Sequence, residues 1–487
     1  MPTSDRSLAV VAPGDDVAFL SAAALAEAFR RRSLSPVEVA RALVSRIEAL
    51  DAPVNSIVHV DPVLTLAQAK AAEARYTAGT PLSALDGVPV TIKDLSAVAG
   101  WPRRRGSLAL DPLKPAAQDT PCVARLREAG AVFLAKTATP EAGCRLVTRS
   151  RVHGVTANPY DLTKTPGGSS GGAAAALALG FGPLAVGSDG AGSIRIPASS
   201  TNVFGLKPGF GRVPAFPPDV DMPHSVVGPM SRTVADAALM LEVMARREQR
   251  DPFAWPVPFA IPKDLGASDF SGARIAGLRI AISARLGCTA PLVDREVDAL
   301  VAEAGPILAD AGAEVIDEGP IWPVDPFEPF KVFWETGCVA IVDGFEPEKH
   351  VLLDPLLLSV AASGRATSLA AYSRAQEQRM AIAVAAKAFF NRFDLLVGPV
   401  MPVPPYAVQR YVPEGFADED WRWCPYTYPW NMTGQPAVSV PIGFTASGLP
   451  VGVQIIGWMG SEAQLLRAAA VIERSRPLHL RRPPLPG

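Results

Sequence analysis

One stretch limits this chain more than any other. From Thr165 to Ser188 there is no charged residue. Its length alone would suit a membrane span, which needs about 20 apolar residues. Its first third, however, contains Pro166-Gly-Gly-Ser-Ser-Gly-Gly172, and Pro183 with its neighbouring glycines closes the helix-like part. Only Ala173 to Gly180 remain as good helix formers, too few to cross a bilayer. The stretch reads as a buried core helix entered through a glycine-rich loop. A second serine-bearing glycine turn, Ser188-Asp-Gly-Ala-Gly-Ser193, follows directly, so two such turns flank one buried helix-strand unit.

The surroundings fix the class of fold. Ser35-Pro36-Val37-Glu38 matches a capping box with proline in the first turn, and Val37, Ala40, Leu43, Val44 and Ile47 then recur at helical spacing. From Val88 the rhythm alternates. Val88 to Lys93 reads as a strand, Thr120-Pro121 opens a helix ended by Gly130, and Ala131 to Lys136 reads as the next strand. Leu184 to Gly187, Leu278 to Ser283, Glu314 to Asp317, Phe393 to Pro399, Ala437 to Pro441 and Leu449 to Gly457 continue the series. A helix is expected near Val293 to Asp310, before Gly312, and aromatics at helical spacing over 322–345 read mainly as core. The expected architecture is α/β, with a mixed central β-sheet sandwiched by helices. One domain over 1–487 is expected. Its core would cover about 85–240 and 390–460, with a variable, cap-like connector region over about 246–390.

Charge and scarce residues exclude several chemistries. Lys plus Arg number 46 and Asp plus Glu 48, a net charge of −2, so no basic footprint for nucleic acid or polybasic membrane surface exists. The five cysteines are scattered and form no C-x-x-C pair, which argues against a disulfide framework or zinc-cysteine site and for a reducing, cytoplasmic setting. The five histidines include no helical metal pair, so no metal and no cofactor is expected. The apolar stretch Leu8 to Ala12 is too short for a signal-peptide core.

The two glycine-serine turns admit several readings. Glycines let a ligand approach the backbone, and the consecutive amides of Gly190, Ala191, Gly192 and Ser193 form a candidate cradle for a developing oxyanion. A phosphate loop is excluded because no lysine follows Gly171-Gly172. An α/β-hydrolase elbow fits the local pattern, since Gly167-Gly-Ser169-Ser-Gly171 matches G-x-S-x-G. It would need a downstream acid and then a histidine, and His224, His350 and His479 have no distinctive setting. A structural Gly-Ser hinge without chemistry is the plainest alternative.

Taken with the rest of the chain, the turns resemble the amidase signature family. The resemblance lies in Gly167-Gly-Ser-Ser-Gly-Gly172, in Gly187-Ser-Asp-Gly-Ala-Gly-Ser-Ile-Arg-Ile-Pro-Ala198 and in Gly205-Leu-Lys-Pro208. Upstream, Gly87-Val-Pro-Val-Thr-Ile-Lys93-Asp94 is similar to the family's lysine-bearing strand. Downstream, Asn431-Met-Thr-Gly-Gln-Pro-Ala437 and Gly448-Leu-Pro-Val-Gly-Val-Gln454 resemble its C-terminal strands.

The resemblance implies a Ser–cis-Ser–Lys triad, with Ser193 as nucleophile, Ser169 as bridging serine after a cis peptide bond, and Lys93 as base. A serine hydroxyl needs a base to remove its proton, and a lysine can serve only when burial keeps it neutral. Ser170 is expected to support the network by hydrogen bonding, and Asp189 and Arg195 to pair and stiffen the nucleophile turn. Ala191 departs from the glycine usual in the family, placing a methyl in the turn while leaving its N–H intact. The implied reaction is hydrolysis of a C–N bond in a small-molecule carboxamide, aryl amide or carbamate through an acyl-enzyme, with esters sharing the same carbonyl chemistry. Expected partners are that substrate alone, with no nucleic acid and no membrane, in a monomer or homodimer. Alternatives are the amidase component of a tRNA-dependent amidotransferase complex and a Ser-His-Asp esterase.

Overall fold

The computed structural model describes residues 15–218, 224–265, 270–290, 292–418 and 420–484. The Leu8 to Ala12 stretch lies outside them. Thirteen strands occur among the described residues. They are β1 (Ile57–His59), β2 (Pro89–Lys93), β3 (Val132–Thr137), β4 (Arg149–Ser150), β5 (Gly154–Val155), β6 (Leu184–Asp189), β7 (Phe204–Lys207), β8 (Val226–Ser231), β9 (Arg279–Ile282), β10 (Glu314–Asp317), β11 (Leu395–Pro399), β12 (Ala437–Phe444) and β13 (Pro450–Gly457). Strands β4 and β5 form a small hairpin. The other eleven make one sheet in the order β1-β3-β2-β6-β8-β7-β12-β13-β11-β9-β10.

The sheet is mixed. β2 runs parallel to both β3 and β6, β9 runs parallel to both β11 and β10, and the strands between pair antiparallel. β2 is buried along its whole length, which suits a parallel strand covered on both faces. Its register aligns Ile92 with Lys136 of β3 and with Val186 of β6. Lys93 and the end of β6 therefore finish side by side.

The local signals explain the flanking helices. In the helix Pro36–Leu50 the Ser35 hydroxyl accepts the Val37 N–H and Glu38 accepts the Ser35 N–H, each at 3.0 Å. Its apolar stripe is buried. The uncharged segment forms the helix Gly171–Ala178, with every residue buried. No helix among the described residues is long and apolar enough to cross a membrane.

One expectation changes. The helix near 293–310 is two helices, Arg295–Ala302 and Ala304–Asp310. Pro306 has no N–H to give the carbonyl of Ala302, so the ladder breaks there. Within the 246–390 region, β9 and β10 fall where strands are expected, at Leu278–Ser283 and Glu314–Asp317, and extend the central sheet. The same region supplies the helix Phe327–Asp343, whose Phe327, Phe330 and Phe333 are buried in a cluster with Ala191 and Tyr428.

Candidate active site

Lys93 ends β2 with its side chain 1% exposed. A strand-end lysine is ordinarily solvated; here the neighbouring strand and the two glycine turns close over it. Its Nζ lies 2.7 Å from Ser169 Oγ, 2.8 Å from Ser170 Oγ and 2.9 Å from Ser188 Oγ. Three hydroxyls match the three donors of an ammonium; in the neutral amine one of them can instead donate to the lone pair. Burial pushes the Lys93 amine down to about 7, against the opposing influence of Asp189 and Cys144. The neutral, proton-accepting form is thus far more accessible than in a solvated lysine.

The serine turn is held by backbone that tolerates no side chain. The Gly168–Ser169 peptide bond is cis. A Cβ on Gly168 would lie 2.5 Å from the Val147 carbonyl carbon, so only glycine lets the two segments of chain cross. Thr148 Oγ1 accepts the Gly171 N–H at 3.0 Å and donates to the Gly167 carbonyl at 2.9 Å. The Ser170 N–H donates to the Ser193 carbonyl at 3.1 Å, which ties the first turn to the second.

The second turn is built around Asp189. Its carboxylate and the Arg195 guanidinium, both fully buried, meet at 2.9 Å. The carboxylate also accepts the N–H groups of Gly192 at 2.7 Å and Ile194 at 3.1 Å, and Asn431 Nδ2 at 2.9 Å. Burial opposes the charge on Asp189, but Arg195, Lys207 and Asn431 outweigh it and hold the carboxyl well below the usual range. Arg195 in turn donates to Gln454 Oε1 and Asn431 Oδ1, each at 2.6 Å, and to the Thr427 carbonyl at 3.1 Å. A buried charge pair is tolerable only when its remaining hydrogen-bonding positions are filled, as they are here.

The four-amide cradle needs a correction. The Gly192 N–H is already donated to Asp189, so it points inward and is not available to a ligand. Gly190, Ala191 and Ser193 remain as the candidate amides. Gly192 is still required as glycine: its φ is +117° and a Cβ would lie 2.6 Å from Thr427 Oγ1. The Ala191 methyl packs into the aromatic cluster, and the Ala191 carbonyl accepts Thr427 Oγ1 at 2.6 Å.

The histidines stand apart from these serines. His224 lies against Phe330 and Phe333, both ring nitrogens unpartnered, and burial pushes it down to about 3, with the Arg379 charge adding to the effect. His350 Nε2 meets the Phe345 carbonyl at 3.1 Å. A Ser-His-Asp arrangement is therefore absent among the described residues.

Four contributors escaped the sequence reading: Ser188, Thr427, Asn431 and Gln454. Ser188 was the most accessible of them, since it sits one residue before Asp189 on a strand parallel to that of Lys93. The other three reach the turn from more than 200 residues away.

The amidase family model matches residues 38–466. The chain is 35% identical to an acylamidase of Rhodococcus erythropolis, over 94% of this chain and 96% of that protein. It is 32% identical to a glutamyl-tRNA(Gln) amidotransferase subunit of Chloroflexus aggregans, over 96% and 98%. A crystal structure of a bacterial aryl acylamidase, described as an amidase signature enzyme, superposes with a TM-score of 0.87 at 30% identity, covering 94% of this chain and 96% of that one. The chain belongs to the amidase signature family, a family of amide hydrolases.

Proposed function

We propose that this protein hydrolyses small-molecule amides, aryl amides foremost, through a Ser193 acyl-enzyme with Ser169 and Lys93 as the proton path. The carrying observation is Lys93: a buried amine lowered to about 7, hydrogen-bonded at 2.7 Å to the hydroxyl of Ser169. Neutral Lys93 takes a proton from Ser169 as Ser169 takes one from Ser193, and Ser193 Oγ attacks the carbonyl carbon. The free amides of Gly190, Ala191 and Ser193 stabilise the oxyanion. The proton held on Lys93 returns through Ser169 to the departing nitrogen. Water then enters by the same route in reverse and releases the acid.

Ser170 and Ser188 position the amine rather than react. Carbamates and esters, which present the same carbonyl, are expected as secondary substrates. The similarity to acylamidases favours a free-standing enzyme over an amidotransferase component. Incubation of the isolated chain with a fluorophosphonate, followed by peptide mass analysis, should find the label on Ser193. The isolated chain should also turn over a simple anilide. Labelling at Ser170 instead, or a requirement for His224, would overturn the assignment. Turnover only in the presence of a partner complex would favour the amidotransferase reading.

A further inference from the structure

A cavity of about 610 Å3 opens beside the lysine end of the site. Its walls include Ser188, the third hydroxyl on Lys93, and Ser225, which faces Gly190 of the nucleophile turn. That size lies within the range of about 300–1,000 Å3 typical of small-molecule sites. Most of the lining is apolar, but its charges are unequal. Among the described residues the cavity carries three cations, Arg103, Arg105 and Lys349, and one acid, Glu346. The whole chain has the opposite bias, at −2.

Arg105 is the informative cation. Its Nε is buried without a hydrogen-bond partner, and its guanidinium meets no carboxylate among the described residues. Its backbone is left-handed, at φ +50°, which is unfavourable for a residue with a Cβ. Its carbonyl accepts the N–H of Ala142, also left-handed at φ +51°, at 2.8 Å. The next residue, Gly143, abuts the site: a Cβ there would lie 3.4 Å from Ser169 Oγ. The arginine is therefore fastened to the loop that covers the bridging serine, with a half-buried charge left unanswered by the protein. Such a charge is costly unless an opposite charge is supplied.

We infer that the site takes amides bearing a carboxylate remote from the scissile bond, and that Arg105 selects them. This rests on the amide-hydrolase reading above. The exposed Lys349 at the rim adds attraction at longer range.

The test uses two pairs of near-isosteres. On the departing side, para-acetamidobenzoate is compared with para-acetamidoacetophenone; on the acyl side, succinyl-para-nitroanilide with levulinyl-para-nitroanilide. In one pair the acid should exceed the neutral partner in kcat/KM by about tenfold or more, the scale of a charged hydrogen bond. Arg105→Asn, which tolerates the left-handed backbone, should bring that ratio close to one, and Arg105→Lys should keep most of it. Equal or better turnover of the neutral member in both pairs overturns the inference. So does an Arg105→Asn variant that slows both members alike. If no anilide reacts, the amide-hydrolase reading has failed; calorimetric binding of the same pairs then decides the carboxylate question by the same ratio.

Discussion

The N–H of Gly192 donates to Asp189 Oδ1 at 2.7 Å, so the carboxylate sits inside the turn that carries Ser193. The same carboxylate holds Arg195 at 2.9 Å, and Arg195 reaches Gln454 and Asn431. The nucleophile turn is thereby fixed from within and from the far end of the chain. Rigid placement of reacting groups is worth several kcal/mol in a catalysed step.

Removing one member of that pair strands the other. Asp189→Ala leaves a fully buried guanidinium uncompensated, and a loss of about 3–5 kcal/mol in unfolding free energy is expected. Urea denaturation measures it. A variant as stable as the parent would mean that Asn431 and Gln454 suffice to hold Arg195.

The triad residues should act as a unit. Ser193→Ala and Lys93→Met are each expected to lower kcat on an aryl amide by about a thousandfold or more while the fold persists. Ser170→Ala should cost far less, because its hydroxyl only positions the amine. Full activity of either triad variant contradicts the assignment.

Lys93 sets two pH dependences. As base it must be neutral, so kcat/KM should rise with pH through about 7 and level off above it. Ser188→Ala removes an acceptor that favours the ammonium form, so the rising limb should move to lower pH. Stability follows from the same shift. The folded-state value, about 7, lies below the ordinary 10.5, so between these values the unfolded chain binds more protons. The burial penalty is complete below about 7 and is relieved as pH rises toward 10.5. Relative to Lys93→Met, the parent should therefore gain stability across that window, which parallel denaturation curves would reveal.

The two glycines beside Ala191 should differ sharply. A Cβ on Gly190 meets Trp334 at 3.8 Å, an ordinary contact, whereas one on Gly192 meets Thr427 Oγ1 at 2.6 Å from a positive φ. Gly192→Ala should lose stability by about 1–3 kcal/mol and most activity. Gly190→Ala should fold normally, with changed substrate preference because its methyl faces Trp334. Thermal unfolding and a panel of acyl anilides separate the two effects.

The sequence alone determined the elements and most of their order. The capping box at Ser35 and Glu38, the strand ending at Lys93 and the helix between two glycine turns were all legible. Each depends on local periodicity, caps and backbone freedom, which neighbouring residues carry. Motif order along the chain also identified Ser169 and Ser193 as the residues to watch. The short strands β1, β7 and β8 left no clear period, and Pro306 divided a helix that the apolar spacing ran together.

Only the tertiary structure decided how the site is wired. Ser188 reaches Lys93 because β6 pairs with β2 in one particular register, which no local pattern specifies. The inward aim of the Gly192 N–H, removing one of four expected amides, follows from where Asp189 sits once Arg195 is clamped by Asn431 of the short helix Tyr428–Met432 and Gln454 of β13. The lowered base and the unpaired Arg105 likewise depend on what surrounds a charge in space. Burial and pairing are properties of the packed chain, so a lysine and an arginine that look like surface residues in the sequence acquire their chemistry only from what the fold sets around them: burial for Lys93, and an Nε without a partner for Arg105.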